Sequence, residues 1–143
     1  MKHAMAKKST AGEAAVDGLL GGATAGVVMA VYLVVVNLFG GEGFSVLTRF
    51  DSNGTSPVNG ALLHVAVSGV YGALFGILLR FGQRLNAPGW AIGTAYGIAL
   101  FALAETVLLP SSRSALKEIP IVHFAIAHLI YGFSLGLLVH RMR

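Results

Sequence analysis

The most informative segment of the chain is the apolar run SGVYGALFGILL at residues 68–79. It contains no charged residue, and small residues recur at every fourth position, at Ser68, Gly72 and Gly76. Because residues four apart lie on one face of an α-helix, this pattern predicts a helix with one smooth face. Mostly apolar sequence extends on both sides, from about residue 61 to 81, and about 20 such residues are enough for a helix to cross a membrane.

Three further apolar stretches have the length of a membrane-spanning helix, at about residues 16–39, 89–109 and 119–139. The composition agrees, since 55% of the 143 residues are hydrophobic and only 11% are charged, whereas a soluble domain carries about 25% charged residues. We therefore predict an all-α, integral membrane four-helix bundle that forms a single domain over residues 1–143, with residues 1–15 as a basic tail. The chain has no cysteine, which excludes disulfides, thiol catalysis and cysteine-bound metals.

The basic residues are distributed unevenly between the two ends of the predicted helices. Positively charged loops stay in the cytoplasm, so both termini are predicted to be cytoplasmic, in the inner or plasma membrane of a prokaryote. This topology also accounts for the formal net charge of +4 without nucleic acid as a partner. Seven of the ten basic residues flank the cytoplasmic side, namely Lys2, Lys7, Lys8, Arg80, Arg84, Arg141 and Arg143.

An internal duplication is visible in the apolar segments. Residues 128–139, HLIYGFSLGLLV, match the segment 68–79, and GATAG at residues 22–26 matches GTAYG at residues 93–97 more weakly. The two halves are therefore interpreted as parallel repeats, each a hairpin of two helices. Small residues at four-residue spacing permit close contact between helices in a bilayer, and we expect them to form the packing faces. They are Gly18, Gly22, Gly26, Ser68, Gly72, Gly76, Gly89, Gly93, Gly97, Gly132 and Gly136.

This pattern resembles a family of small four-span bacterial and archaeal membrane proteins of unknown function. The resemblance covers roughly residues 18–139. It implies the four-helix fold and supplies no activity, cofactor or catalytic residue. The residues that carry it are His64, Ser68, Tyr71-Gly72, Gly76, Pro88-Gly89, Gly93, Gly97, Leu109-Pro110, His128, Tyr131-Gly132 and Gly136.

Polar residues fall near the non-cytoplasmic ends of all four predicted helices: Asn37, His64, Glu105, His123 and His128. Ionisable side chains inside a bilayer are costly, so this polar cluster is a candidate for function. Glu105 precedes Pro110 by five residues, which corresponds to about 7 Å of helix. Because a carboxylate at that depth needs a hydrogen-bond donor, we expect Glu105 to point into the bundle and to bond to His64 or His128.

Several uses of this polar cluster are open from the sequence. The side chains can simply link helices by hydrogen bonds, or His64 and His128 can hold a haem or a chlorophyll-type pigment, since imidazole is a common haem ligand. Glu105 with the histidines suits a proton or solute relay. His64, His123, His128 and Glu105 have ligand types suited to zinc, but not the spacing of a zinc motif. The first choice is therefore no metal and no cofactor.

Nothing in the sequence predicts catalysis, because it has no Walker loop, nucleophile elbow or carboxylate pair. The leading interpretation is a non-catalytic, helix-packing subunit that serves as an accessory or scaffold component of a larger membrane complex, such as a respiratory or photosynthetic one. Its expected partners are other transmembrane subunits and the lipid bilayer. The alternatives are a haem- or pigment-binding protein that uses His64 and His128, and a small carrier centred on Glu105.

Overall fold

Four long helices make up most of the protein. The computed structural model describes residues 10–81 and 87–141, and in this part of the chain every regular element is helical. The long helices are α1 (Ala11–Phe39), α2 (Pro57–Phe81), α3 (Gly89–Ser111) and α4 (Ile121–Arg141). Each is long and apolar enough to cross a membrane. The predicted all-α four-helix membrane fold is confirmed.

The helix boundaries differ from the predicted ones by a few residues, for local reasons. α1 begins at Ala11 rather than about residue 16, because Thr10 and Glu13 form a capping box. The Thr10 hydroxyl accepts from the Glu13 N–H at 3.1 Å and the Glu13 carboxylate accepts from the Thr10 N–H at 2.6 Å; together they satisfy two N–H groups that a helix start leaves free. Residues 11–15, predicted as part of the tail, are therefore helical, whereas residues 1–9 lie outside the described residues.

Prolines set the starts of two other helices. α2 begins at Pro57, about four residues before the predicted start, because the first helical position needs no N–H and suits the fixed φ of proline. α4 begins at Ile121, directly after Pro120. Both helices continue to the ends predicted from hydropathy or slightly beyond them.

Each hairpin is closed by direct contact between glycine backbones. A Cβ atom added at Gly22 would lie 2.6 Å from the Cα of Gly72, and one added at Gly93 would lie 2.6 Å from the Cα of Gly136. Real side chains do not tolerate such distances, so only glycine allows these helices to come so close. The small residues at the α1–α2 crossing are Gly18, Gly22, Gly26, Ser68, Gly72 and Gly76, and those at the α3–α4 crossing are Gly89, Gly93, Gly97, Gly132 and Gly136.

The two hairpins are joined by α1 and α4, which pack against each other. The order of neighbouring helices is therefore α2, α1, α4, α3. Fully buried side chains such as Leu33, Phe75 and Leu135 fill the centre. Along their described lengths, α2 and α3 have no extended helix-to-helix contact.

Two tyrosines bridge the space beside α2. The Tyr96 hydroxyl of α3 donates to the Tyr71 carbonyl at 2.8 Å, and the Tyr131 hydroxyl of α4 donates to the Ser68 carbonyl at 2.7 Å. The rings of Phe75 and Tyr96 are also in contact, with centroids 5.1 Å apart. These long side chains hold α2 at a distance from α3 and α4, which leaves a space beyond the tyrosines.

One turn of α3 is wider than an α-helix. Residues Ala104–Leu108 form a π-bulge, in which the Leu109 N–H bonds to the Ala104 carbonyl five residues earlier. Pro110 follows directly, and its ring excludes the regular bond to the carbonyl of Thr106 and crowds that carbonyl. A widened turn relieves this crowding, and bulges of this kind are frequent at functional sites. Glu105 lies within the bulge.

A short 3₁₀ helix, Gly43–Phe50, lies across one end of the bundle, which we call the loop end because it carries the 40–56 and 112–120 connections. Phe44 is 70% exposed, but Val46 and Leu47 are buried in the core. Gly60 makes this packing possible, since its missing side chain leaves room for the Leu47 carbonyl.

Candidate ligand-binding cavity

A cavity of about 680 Å³ opens at the loop end between α2 and α3. The tyrosines Tyr71 and Tyr131 lie at its inner end, and residues 49–54 and 113–116 surround its mouth. Its volume falls within the range of about 300–1,000 Å³ that is typical of sites for small organic ligands. Its apolar walls include Met29, Leu63, Val67, Leu100, Leu108 and Phe124.

His64 reaches this cavity from α2. Only 7% of the residue is exposed, and its Nε2 lies 3.0 Å from the Gly26 carbonyl of α1. A carbonyl oxygen only accepts, so Nε2 carries the proton and donates. The Phe50 ring of the 3₁₀ helix packs on the imidazole, with centroids 4.5 Å apart. His64 is therefore held in one orientation and one tautomer.

His128 reaches the same cavity from α4 with the opposite tautomer. Its Nδ1 lies 2.8 Å from the Phe124 carbonyl, one turn earlier in the same helix, so Nδ1 carries the proton and donates. The ring packs edge-on against Phe124, with centroids 4.5 Å apart. Phe101 contacts it from α3, at 5.9 Å. His64 and His128 thus line one and the same cavity.

The second nitrogen of each imidazole is available to a ligand. Every fully buried side-chain nitrogen or oxygen in the described residues has a hydrogen-bond partner. Nδ1 of His64 and Nε2 of His128 have none within that part of the chain, so both are accessible, and both residues line the cavity. In an uncharged imidazole the nitrogen without a proton is an acceptor. The cavity therefore presents two hydrogen-bond acceptors within apolar walls.

The charged groups at the mouth largely satisfy one another. The Arg49 guanidinium contacts the Glu42 carboxylate at 2.9 Å and the Glu118 carboxylate at 3.5 Å. Asp51 is buried, and its carboxylate accepts from the N–H groups of Thr55 and Ser56, each at 3.1 Å. These bonds to the charged form lower the pKa of Asp51 below its usual value. Hydrogen bonding and ion pairing thus fix the position of residues 49–54 at the mouth of the cavity.

The predicted polar cluster does not assemble as one site. His64 and His128 share the cavity, whereas the Nδ1 of His123 lies 3.1 Å from the Tyr32 hydroxyl and links α4 to α1. Asn37 donates to the Leu33 carbonyl of its own helix at 2.8 Å. The described residues contain no group of three or more histidine or acidic side chains that could hold a metal ion, so the zinc alternative lacks an assembled ligand set.

The prediction that Glu105 forms a hydrogen bond with His64 or His128 is wrong. Glu105 is half-buried in the π-bulge and makes no side-chain hydrogen bond with any described residue. It lines a separate hollow of about 370 Å³ with Lys117, Glu118 and the two prolines of this connection. Each four-residue step drifts by about 40° around a regular α-helix, so the two steps from Gly97 already carry Glu105 away from the glycine face.

The loop residues at the mouth of the cavity were not identified from the sequence. Phe50 contacts His64 of another helix, and a single sequence carries no signal for such a contact. Asp51 forms hydrogen bonds within a local turn. The Asp51–Thr55 spacing is a recognisable signal for a side-chain-capped turn, and it marks the segment that covers His64.

Comparison of the chain with protein-family models, with curated proteins and with solved structures gives no match. The class that the structure supports is a membrane protein with four membrane-spanning helices. The resemblance to a family of small four-span proteins stays a prediction.

Proposed function

We propose that this protein binds an uncharged, lipophilic small molecule in the cavity between α2 and α3. The observation that carries the proposal is the cavity itself, about 680 Å³ in volume, lined mostly by apolar side chains and reached by two oriented histidines. Sites for small molecules combine apolar walls with a few polar groups that fix the orientation of the ligand. His64 and His128 provide such groups.

The position of the cavity favours a ligand that comes from the bilayer. Leu63 and Val67 of α2 and Leu108 of α3 line the cavity and are also 44%, 52% and 45% exposed at the surface of the chain. Because α2 and α3 do not pack directly against each other, the gap between these residues gives a lipophile a lateral path from the membrane.

The proposal is tested by filling the cavity. Ala104 lines it, so Ala104→Phe places a ring in the space that the ligand would occupy. Ala102 lies two residues earlier on α3 and is exposed, so Ala102→Phe adds the same ring on the outer surface. Each variant is purified in mild detergent from native membranes, and bound small molecules are measured by native mass spectrometry.

We expect the wild type and Ala102→Phe to carry the same adduct, and Ala104→Phe to carry about tenfold less, which corresponds to a loss of about 1.4 kcal/mol of binding free energy. Equal adducts in all three proteins, or no adduct in the wild type, would contradict the proposal. A visible absorption spectrum recorded on the same samples separates a haem or pigment, the alternative ligand that uses His64 and His128, from a colourless lipophile.

The other interpretations stay predictions. An accessory subunit needs a face for neighbouring helices. In support, only 17% of the most apolar stretch of α3 is buried, compared with 39% for α1. The same exposed face is equally suited to contact with lipid.

An internal duplication is supported by the corresponding glycine crossings of the two hairpins. The absence of catalysis and the proton or solute carrier centred on Glu105 are likewise untested.

A further inference from the structure

We infer that the ligand carries a hydrogen-bond donor, such as a phenolic or alcoholic hydroxyl, on an otherwise apolar and uncharged body. This inference rests on the proposed function and narrows it from lipophiles in general to one chemical class. It follows from the tautomers of the two histidines, from the charges at the mouth and from the cavity walls.

The histidines define the polar end of the ligand. Because Gly26 and Phe124 offer carbonyls, the protons of His64 and His128 are directed at the protein, which leaves the other ring nitrogen of each cavity-lining residue as an accessible acceptor. Two acceptors in one apolar space are unfavourable unless a donor lies between them. A hydroxyl group donates to either nitrogen, whereas an ether or ester oxygen would oppose their lone pairs.

The charges at the mouth argue against an ionic ligand. Arg49 is already paired with Glu42 and Glu118, and the Asp51 carboxylate is occupied by Thr55 and Ser56. Arg113 is the one cation at the mouth that has no hydrogen bond or ion pair among the described residues. It is exposed, so it interacts weakly with an anion in water. The cavity thus offers no buried counter-ion for a charged headgroup.

The walls define the rest of the ligand. Leucine, methionine, valine and phenylalanine side chains line the space between the histidines and the gap toward the membrane. A tail or ring system of small-molecule size gains free energy by leaving water for such a surface. Tyr71, whose hydroxyl has no partner within the described residues, lies at the inner end and can donate to the oxygen of the same hydroxyl group.

The experiment compares two probes that differ in the hydroxyl proton, which a methyl group replaces in the second probe. The probes are 4-dodecylphenol and its methyl ether, 4-dodecylanisole, added together in equal amounts to the full-length protein in detergent micelles. Native mass spectrometry then gives the ratio of the two complexes in each sample. A net hydrogen bond contributes about 1 kcal/mol, so we expect the phenol complex to be about fivefold more abundant in the wild type.

Variants show which side chains are responsible for the preference for the phenol. His128→Phe keeps the ring shape and leaves the Phe124 carbonyl with its helix hydrogen bond, and it should reduce the preference for the phenol to about twofold. Ala104→Phe should remove both complexes, and Ala102→Phe should change neither. The wild-type ratio alone tests the inference even if a histidine variant fails to fold.

The outcomes separate this inference from the proposed function. Equal amounts of the two complexes in the wild type, both lost in Ala104→Phe, would overturn the requirement for a donor and leave a lipophile-binding cavity. If neither probe binds the wild type, both statements are wrong. A phenol preference that persists in both His128→Phe and His64→Phe would overturn the assignment of the histidines.

Discussion

At the residue scale, the absence of a side chain is what holds each hairpin together. Gly22 and Gly72 approach so closely that the carbonyl of Gly18 faces Gly72 and the carbonyl of Gly72 faces Gly18. Carbonyls placed in this way accept weak Cα–H···O bonds, worth about 0.5–1 kcal/mol each. In a bilayer, where apolar burial gives little force between helices, such close packing is a main source of stability.

Gly72→Ala should destabilise the protein, whereas Gly69→Ala should not. A Cβ at Gly72 would lie 2.5 Å from the Cα of Gly22, but a Cβ at Gly69 would meet nothing closer than the Leu19 carbonyl at 3.5 Å. Overpacking of this kind costs about 1–3 kcal/mol, and thermal unfolding in detergent would measure it. The same unfolding temperature for both variants would contradict the backbone contact.

A second residue-scale prediction concerns Asp51 and acid. Its hydrogen bonds lower its pKa in the folded state below the unfolded value, so their stabilisation is present above the unfolded pKa, about 3.9, and is lost as the pH falls through the lower, folded value. Hydrogen exchange of residues 43–56, corrected for intrinsic rates, should therefore increase as the pH falls below about 4.

The control for this prediction is Asp51→Asn, which removes the titrating group. In that variant the loop should exchange faster at neutral pH and show little further change in acid. If the wild-type loop keeps the same protection at pH 3 as at pH 6, the carboxylate is not what holds it.

At the scale of elements, α3 departs most from a regular helix. Hydropathy and the spacing of small residues predicted four helices and the glycines at their crossings, because both signals are contained in consecutive residues. The π-bulge was not predicted, since Pro110 alone does not specify whether a helix kinks, ends or widens. Glu105, which lies in the bulge, lines a hollow with Lys117 and Glu118.

A single-residue deletion tests the bulge. Removing Thr106 from the widened turn should restore a regular α-helix with both flanks in register. Removing Ile98 from the regular part of α3 instead rotates everything beyond it by about 100° relative to the glycine face. Because the Pro110 ring again crowds a regular turn in the Thr106 deletion, we expect that variant to unfold below the wild type but well above the Ile98 deletion. Equal losses would indicate that α3 has no extra residue.

At the scale of the whole molecule, the two ends of the bundle differ in packing. The helices cross in glycine contact at one end, while the loop end contains the cavity, whose mouth is flanked by residues 49–54. The cavity could not be predicted from the sequence, because it depends on tyrosines of α3 and α4 that reach α2. Sequence identified both cavity histidines as polar residues at depth, but not that Asn37, His123 and Glu105 lie elsewhere.

The predicted orientation places the loop end outside the cytoplasm. Because the chain has no cysteine, a single cysteine introduced at exposed Ser52 or exposed Ala87 reports its own location. In intact cells an impermeant maleimide should label Ser52→Cys and leave Ala87→Cys unlabelled until the membrane is opened. Labelling of Ala87→Cys alone would reverse the topology and place the cavity in the cytoplasmic leaflet.

The most direct test of the central claim is a crystal structure of the wild-type protein grown in a lipidic mesophase. The account predicts an open space between α2 and α3 that contains elongated non-protein density, with its polar end within hydrogen-bonding distance of Nδ1 of His64 or Nε2 of His128. A structure in which α2 and α3 pack side chain to side chain, with Leu63, Val67 and Leu108 filling the space beyond Tyr71, would contradict it.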